Sequence, residues 1–263
     1  MTDQEPTQQT EIKQRKGIYL LPNLFTTACL FSGFYAIVAA MHNRFEAAAV
    51  AIFIAMVMDG LDGRVARLTN TQSAFGAQYD SLADMISFGL APALVIYVWA
   101  LSGLGKLGWL AAFVYTACAA LRLARFNIQI GVADKRYFTG LASPAAAAAV
   151  AGLVWLGHDW QFSGKGVMIL AFIVTLGVGF LMVSTFRYRS FKDIDLKGKV
   201  PFVTVLMVML IYVSIAMDPP TVLFSIFLAY ALSGPVLMLI AWFRGRDKRG
   251  SPEDSDEDDE KTA

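Results

Sequence analysis

Eight apolar runs, each close to the length of a bilayer span, dominate this chain, at residues 23–41, 46–66, 74–100, 108–126, 142–158, 166–185, 200–217 and 220–243. In lipid the backbone must satisfy its own hydrogen bonds, which makes runs of this length transmembrane helices. With 56% hydrophobic residues among 263, the chain is too apolar for an ordinary soluble domain. The fold expected is all-α: a polytopic membrane helix bundle of about eight transmembrane helices.

Charge placement supports that count. If both termini are cytoplasmic, nineteen Lys and Arg fall in inner segments and only Arg44, Lys106 and Lys165 in outer ones. This is a strong positive-inside bias, and dropping one helix would scramble it. The expected organisation is a polar cytoplasmic segment at 1–21, with no cleavable signal sequence, one membrane domain at 22–245, and a charged, disordered tail at 246–263. Within that tail, Glu253–Glu260 holds seven acidic residues and one serine. Cys29 and Cys118 fall inside spans and read as packing residues, defining neither a disulfide framework nor a metal site.

Against this apolar background, Asp59, Asp62, Asp80 and Asp84 lie within 26 residues. A carboxylate at membrane depth costs several kcal/mol, so four together need compensation. A divalent cation supplies it, and an all-oxygen donor set suits Mg²⁺ or Mn²⁺ better than zinc. Asp59 and Asp62 are three apart and Asp80 and Asp84 four apart, so each pair shares a helix face. The polar stretch Arg67–Ser73 predicts a turn joining two antiparallel helices. Folding about residue 71 brings the pairs level, with Asp59 about 12 Å below Arg67.

In full the segment reads Asp59-Gly-Leu-Asp62-Gly63-Arg-Val-Ala66-Arg67, eight residues, Gly76, three residues, Asp80, three residues, Asp84. This resembles the signature of the CDP-alcohol phosphatidyltransferases at every specified position. Such chemistry places a CDP-lipid pyrophosphate against two cations, which neutralise charge on the phosphoryl oxygens and on departing CMP. Gly63 and Gly76 would let the nucleotide approach the backbone, Ala66 is small for the same reason or for packing, and Arg67 offers a forked phosphate donor. The resemblance implies Asp59, Asp62 and Asp80 as the main metal ligands. It implies Asp84 as a further ligand or as the general base for the incoming alcohol. Pro22-Asn23-Leu-Phe-Thr26 resembles the family's first-helix start, where Asn23 and Thr26 approach the CDP-lipid; Asn23 could equally be an N-cap. Pro92 and Pro144 would shape helices, and the Ala145–Ala149 run would let neighbours pack closely.

Three further segments resemble the integral-membrane phosphatidylserine synthases, a branch of that family: Asp80–Pro92, Leu121–Asn127 and Phe138–Pro144. That resemblance implies CDP-diacylglycerol and L-serine as substrates, membrane lipids as surroundings and a homodimer. It also implies a bacterial or archaeal inner membrane with the site facing the cytoplasm. Arg122 or Arg125 could bind the serine carboxylate bidentately, with Asn127 or Ser87 orienting the amino acid. As bare residues, those arginines could equally be headgroup-level anchors. The same chemistry with glycerol 3-phosphate as acceptor is the nearest rival, and a cation-coupled transporter is the rival of another class. A transporter is disfavoured because the aspartates gather near one face and no inverted repeat is evident. No nucleic-acid partner is expected.

Overall fold

The computed structural model describes residues 20–129, 137–162, 165–189 and 202–247. The expectations for the first 19 residues, for the acidic tail and for several of the basic loop residues fall outside these segments. In order, the elements are α1 (Leu20–Met41), α2 (Phe45–Leu68), α3 (Ala74–Asp84), a π-helical turn (Met85–Leu90) and α4 (Ala91–Trp99). A short 3₁₀ turn, Leu101–Leu104, then leads into α5 (Lys106–Gln129). The rest are β1 (Tyr137–Thr139), α6 (Ser143–Asp159), α7 (Lys165–Val183), β2 (Arg187–Arg189), α8 (Phe202–Met217) and α9 (Pro219–Asp247). Since α3, the π turn and α4 run on as one rod, the eight expected helical segments are all present.

Five of these rods are long and apolar enough to cross a membrane: Pro22–Met41, Ala74–Trp99, Lys106–Ile128, Lys165–Val183 and Pro219–Ile240. The other three fall short for identifiable reasons. Helix α2 carries the charges of the aspartate motif, while α6 has 17 residues and α8 has 16. Helix α6 lies inside the bundle, with every residue from Ala145 to Val154 buried and packing against α2, α4, α7 and α9. The alanine run does what its side chains predict. Close approach continues at Gly152, where a Cβ would sit 3.0 Å from the Phe224 backbone of α9.

Beside the helices the bundle carries one short ladder, in which β1 and β2 pair antiparallel with Tyr137 opposite Arg189 and Thr139 opposite Arg187. The motif helices do not pack closely along one another. Helix α1 packs along α2 and along α3, the π turn and α4, whereas α2 and α3 scarcely touch at the backbone level. They splay apart from α1 and leave a cleft between them.

The turn that opens this angle is built from local chemistry. Asn70 takes a left-handed conformation (φ 52°) just past the end of α2. Its amide bonds Arg67 O at 3.4 Å, and the Thr71 amide bonds Ala66 O at 3.1 Å. That is the double closure of a Schellman cap, with asparagine in the left-handed position. Ser73 then caps α3, accepting from the Gly76 amide at 3.0 Å.

Candidate active site at the aspartate cluster

Carboxylate oxygens of Asp59, Asp62 and Asp80 lie within 4.8 Å of one another. The side chains therefore bridge a gap that the backbones of α2 and α3 leave open. Asp84 lies one turn beyond Asp80, against Asp59. Its Oδ1 is buried and has no hydrogen-bond partner. A buried carboxylate oxygen left unpaired costs several kcal/mol, so it needs a cation or a proton. Three converging carboxylates, with the orphaned oxygen of Asp84 beside them, fit a hard divalent cation as a donor set.

The residues matched to CDP-lipid binding in the sequence line one cleft of about 390 Å³ with Asp62 and Asp80. Asn23, Thr26, Gly63, Ala66, Arg67 and Gly76 all border it, joined by Thr71, Gln72, Ser73 and Phe126. A Cβ at Gly63 would meet nothing within 4 Å, so this glycine preserves open cleft and relieves no clash. Gly76 differs: a Cβ there would stand 3.1 Å from Ser73 Oγ and 3.5 Å from Asn23 Oδ1. Thr26 has a second relationship not foreseen from the sequence. Its buried hydroxyl donates to Asp62 Oδ2 at 2.9 Å, which fixes the orientation of that carboxylate.

The π turn follows Asp84 directly, and Pro92 lies two residues past its end, in the first turn of α4. Proline has no N–H to give the carbonyl four residues back, Phe88 O, and the Tyr115 hydroxyl supplies that bond instead at 3.0 Å. On the other side of the turn, Ser87 Oγ donates to Cys29 O at 3.0 Å. Gly33 of α1 lies so close to Ser87 that a Cβ would collide with it. Ser87 is offered by the sequence as an acceptor-orienting residue. It is fully buried, and its hydroxyl is used to lock α1 to the π turn.

The other acceptor candidates separate. Arg122 stands near enough to Asp84 and Asp59 to interact with both electrostatically, and its Nη1 donates to Ser143 Oγ at 2.7 Å. Arg125 points its Nη1 at Ser184 O, 3.4 Å away, which ties α5 to the end of α7. Asn127 bonds Ser81 on α3 at 3.1 Å. Ser143, fully buried at the start of α6, went unassigned in the sequence although it lies in a segment that resembles the serine-type enzymes.

Sequence comparison agrees with this geometry. Residues 19–178 match the profile of the CDP-alcohol phosphatidyltransferases, and the match spans the whole cleft. The chain belongs to that family. Together with its long apolar helices, membership makes it an integral membrane protein. Among its relatives is a Helicobacter pylori protein named CDP-diacylglycerol–serine O-phosphatidyltransferase, 36% identical over 233 residues, or 88% of this chain and 97% of the relative. A Mycobacterium tuberculosis protein of the same name is 41% identical over 181 residues, covering 65% of this chain and 62% of the relative. Its Bacillus subtilis namesake is 34% identical over 172 residues, covering 65% and 91%.

Proposed function

We propose that this protein transfers the phosphatidyl group of CDP-diacylglycerol to the hydroxyl of L-serine, forming phosphatidylserine and releasing CMP. The observation that carries this reading is the convergence of the Asp59, Asp62 and Asp80 carboxylates, with Asp84 against Asp59, beside a cleft lined by the motif's own small residues. The names of relatives that span nearly the whole chain support serine as the acceptor.

In this reading Asp59, Asp62 and Asp80, with Asp84 at the edge, hold two divalent cations, Mg²⁺ or Mn²⁺. Held there, they supply charge neutralisation for the pyrophosphate and the leaving CMP. Asn23, Gly63, Ala66, Arg67 and Gly76 bind the CDP-lipid, with Arg67 as a donor to phosphate, while Thr26 at the same cleft orients Asp62. Arg122, braced by Ser143, pairs with the serine carboxylate, and Asn127 lies on the acceptor side. The serine oxygen attacks the lipid-side phosphorus, its proton passes to Asp84, and the phosphorus–oxygen bond to CMP breaks. Asp84 suits the base role because its buried Oδ1 has no competing donor.

The site faces the cytoplasm of a bacterial or archaeal inner membrane, and the enzyme works as a homodimer with both termini inside. The polar segment 1–21 and the charged tail 246–263 flank a single catalytic domain at 22–245. The test is CMP release from CDP-diacylglycerol by the purified protein. The expected result requires both Mg²⁺ or Mn²⁺ and serine, and release with glycerol 3-phosphate but not serine would overturn the acceptor assignment.

A further inference from the structure

The segments around β1 and β2 form a strap across the end of the bundle near Arg122. Beyond the ladder, the Gly140 amide bonds Phe186 O and the Leu141 amide bonds Leu181 O, both at 2.9 Å. Gly140 sits at φ 84°, and a Cβ there would collide with the Met182 carbonyl, so only glycine fits. In β2 the Tyr188 side chain is fully buried and reaches α9, where its hydroxyl meets Ala231 O.

Its seat in α9 is specific. Pro235 interrupts that helix and has no N–H for the carbonyl four residues back, Ala231 O. The Tyr188 hydroxyl donates to that same carbonyl at 2.9 Å. Gly234 makes the room, since a Cβ there would stand 2.5 Å from the Tyr188 ring. Next to the accepted carbonyl is Tyr230, whose ring centroid is 5.6 Å from that of Tyr188. The Tyr230 phenol in turn lies within electrostatic reach of Arg122, which is braced on α6 by Ser143.

We propose that Tyr188 is a positioning residue for the acceptor: by filling the hydrogen-bond gap that Pro235 leaves in α9, it sets Tyr230 beside Arg122, and these two side chains together bind the carboxylate of the incoming amino acid. The proposal rests on the serine reading above. It extends that reading to the strap, which lies outside the aspartate motif, and makes Tyr230 an acceptor-contacting residue.

The test is a double-variant cycle read in CMP release, with serine and CDP-diacylglycerol titrated separately in the presence of Mn²⁺. Y188F removes the donor and leaves the ring, so the KM for serine should rise about ten-fold while the lipid KM and the kcat stay within two-fold. P235A alone should stay close to wild type. Y188F combined with P235A should return the serine KM to within three-fold of wild type, because the backbone N–H restored at position 235 can bond Ala231 O. A merely structural defect would not spare the lipid KM, nor be repaired by a proline replacement on another helix. An unchanged serine KM in Y188F, equal shifts in both KM values, or no repair in the double variant overturns the proposal. Should Y188F fail to fold, Y230F interrogates the same subsite, and an unchanged serine KM there overturns it as well. Wild-type protein that releases no CMP on serine addition defeats the serine reading itself, an outcome visible before any variant is made.

Discussion

Thr26→Val keeps the shape of a buried side chain and removes one hydroxyl. That hydroxyl donates to Asp62 Oδ2 at 2.9 Å and also lies 3.2 Å from Pro22 O, one turn back on its own helix. A hydrogen bond to a charged partner contributes about 1.5–3 kcal/mol. Losing the group that orients a metal-binding side chain costs roughly 10–100-fold in metal affinity. The two figures agree, since about 1.4 kcal/mol corresponds to ten-fold. The variant should therefore need ten to a hundred times more Mn²⁺ for half-maximal CMP release. Calorimetric titration of the ion without lipid should show the same loss. At saturating Mn²⁺, the KM for CDP-diacylglycerol should move less than three-fold. Unchanged metal dependence would refute the argument, and a lipid KM defect that persists at saturating metal would assign Thr26 to the lipid instead.

Three further outcomes are expected. Asp84→Asn should lower kcat by about 10²–10⁴-fold while CDP-lipid binding stays within three-fold, as measured by equilibrium binding of the lipid and single-turnover CMP release. Arg122→Lys should raise the serine KM at least ten-fold with the lipid KM unchanged, because an ammonium cannot reproduce the planar fork. Gly140→Ala should lower the thermal unfolding midpoint in detergent by several degrees, through its left-handed backbone and the collision with Met182 O, whereas Gly63→Ala should leave the midpoint unchanged.

The motif was legible in the sequence because its information is local. Fixed spacing puts Asp59 and Asp62, and Asp80 and Asp84, on shared faces, and the polar stretch between them marks the turn. The cleft was not legible: the sequence predicts two helices folded back, but the angle between them depends on α1 packing along both. The bond from Ser87 to Cys29 O was not legible either, because nothing in the sequence distinguishes a small neutral substrate donor from a lock between helices. The strap was missed because β1 and β2 are three residues each and pair across about fifty residues, too short for an alternating pattern. One signal for it was present. A proline inside an apolar helix removes the usual N–H partner of the carbonyl four residues earlier, and in lipid that carbonyl must find another donor. Pro92 and Pro235 both posed the question, and Tyr115 and Tyr188 answer it.

The gap between α2 and α3, spanned by carboxylates and not by packed backbone, bears on how the protein must be handled. Like charges facing one another across an unfilled space push two helices apart, and whatever neutralises them draws the helices together. A ligand that binds only the folded form adds stability in proportion to the logarithm of its concentration. Extraction in a chelating buffer should then yield preparations that aggregate on storage and warm poorly. Supplementing every solution with a millimolar divalent salt should extend shelf life even where no substrate is present.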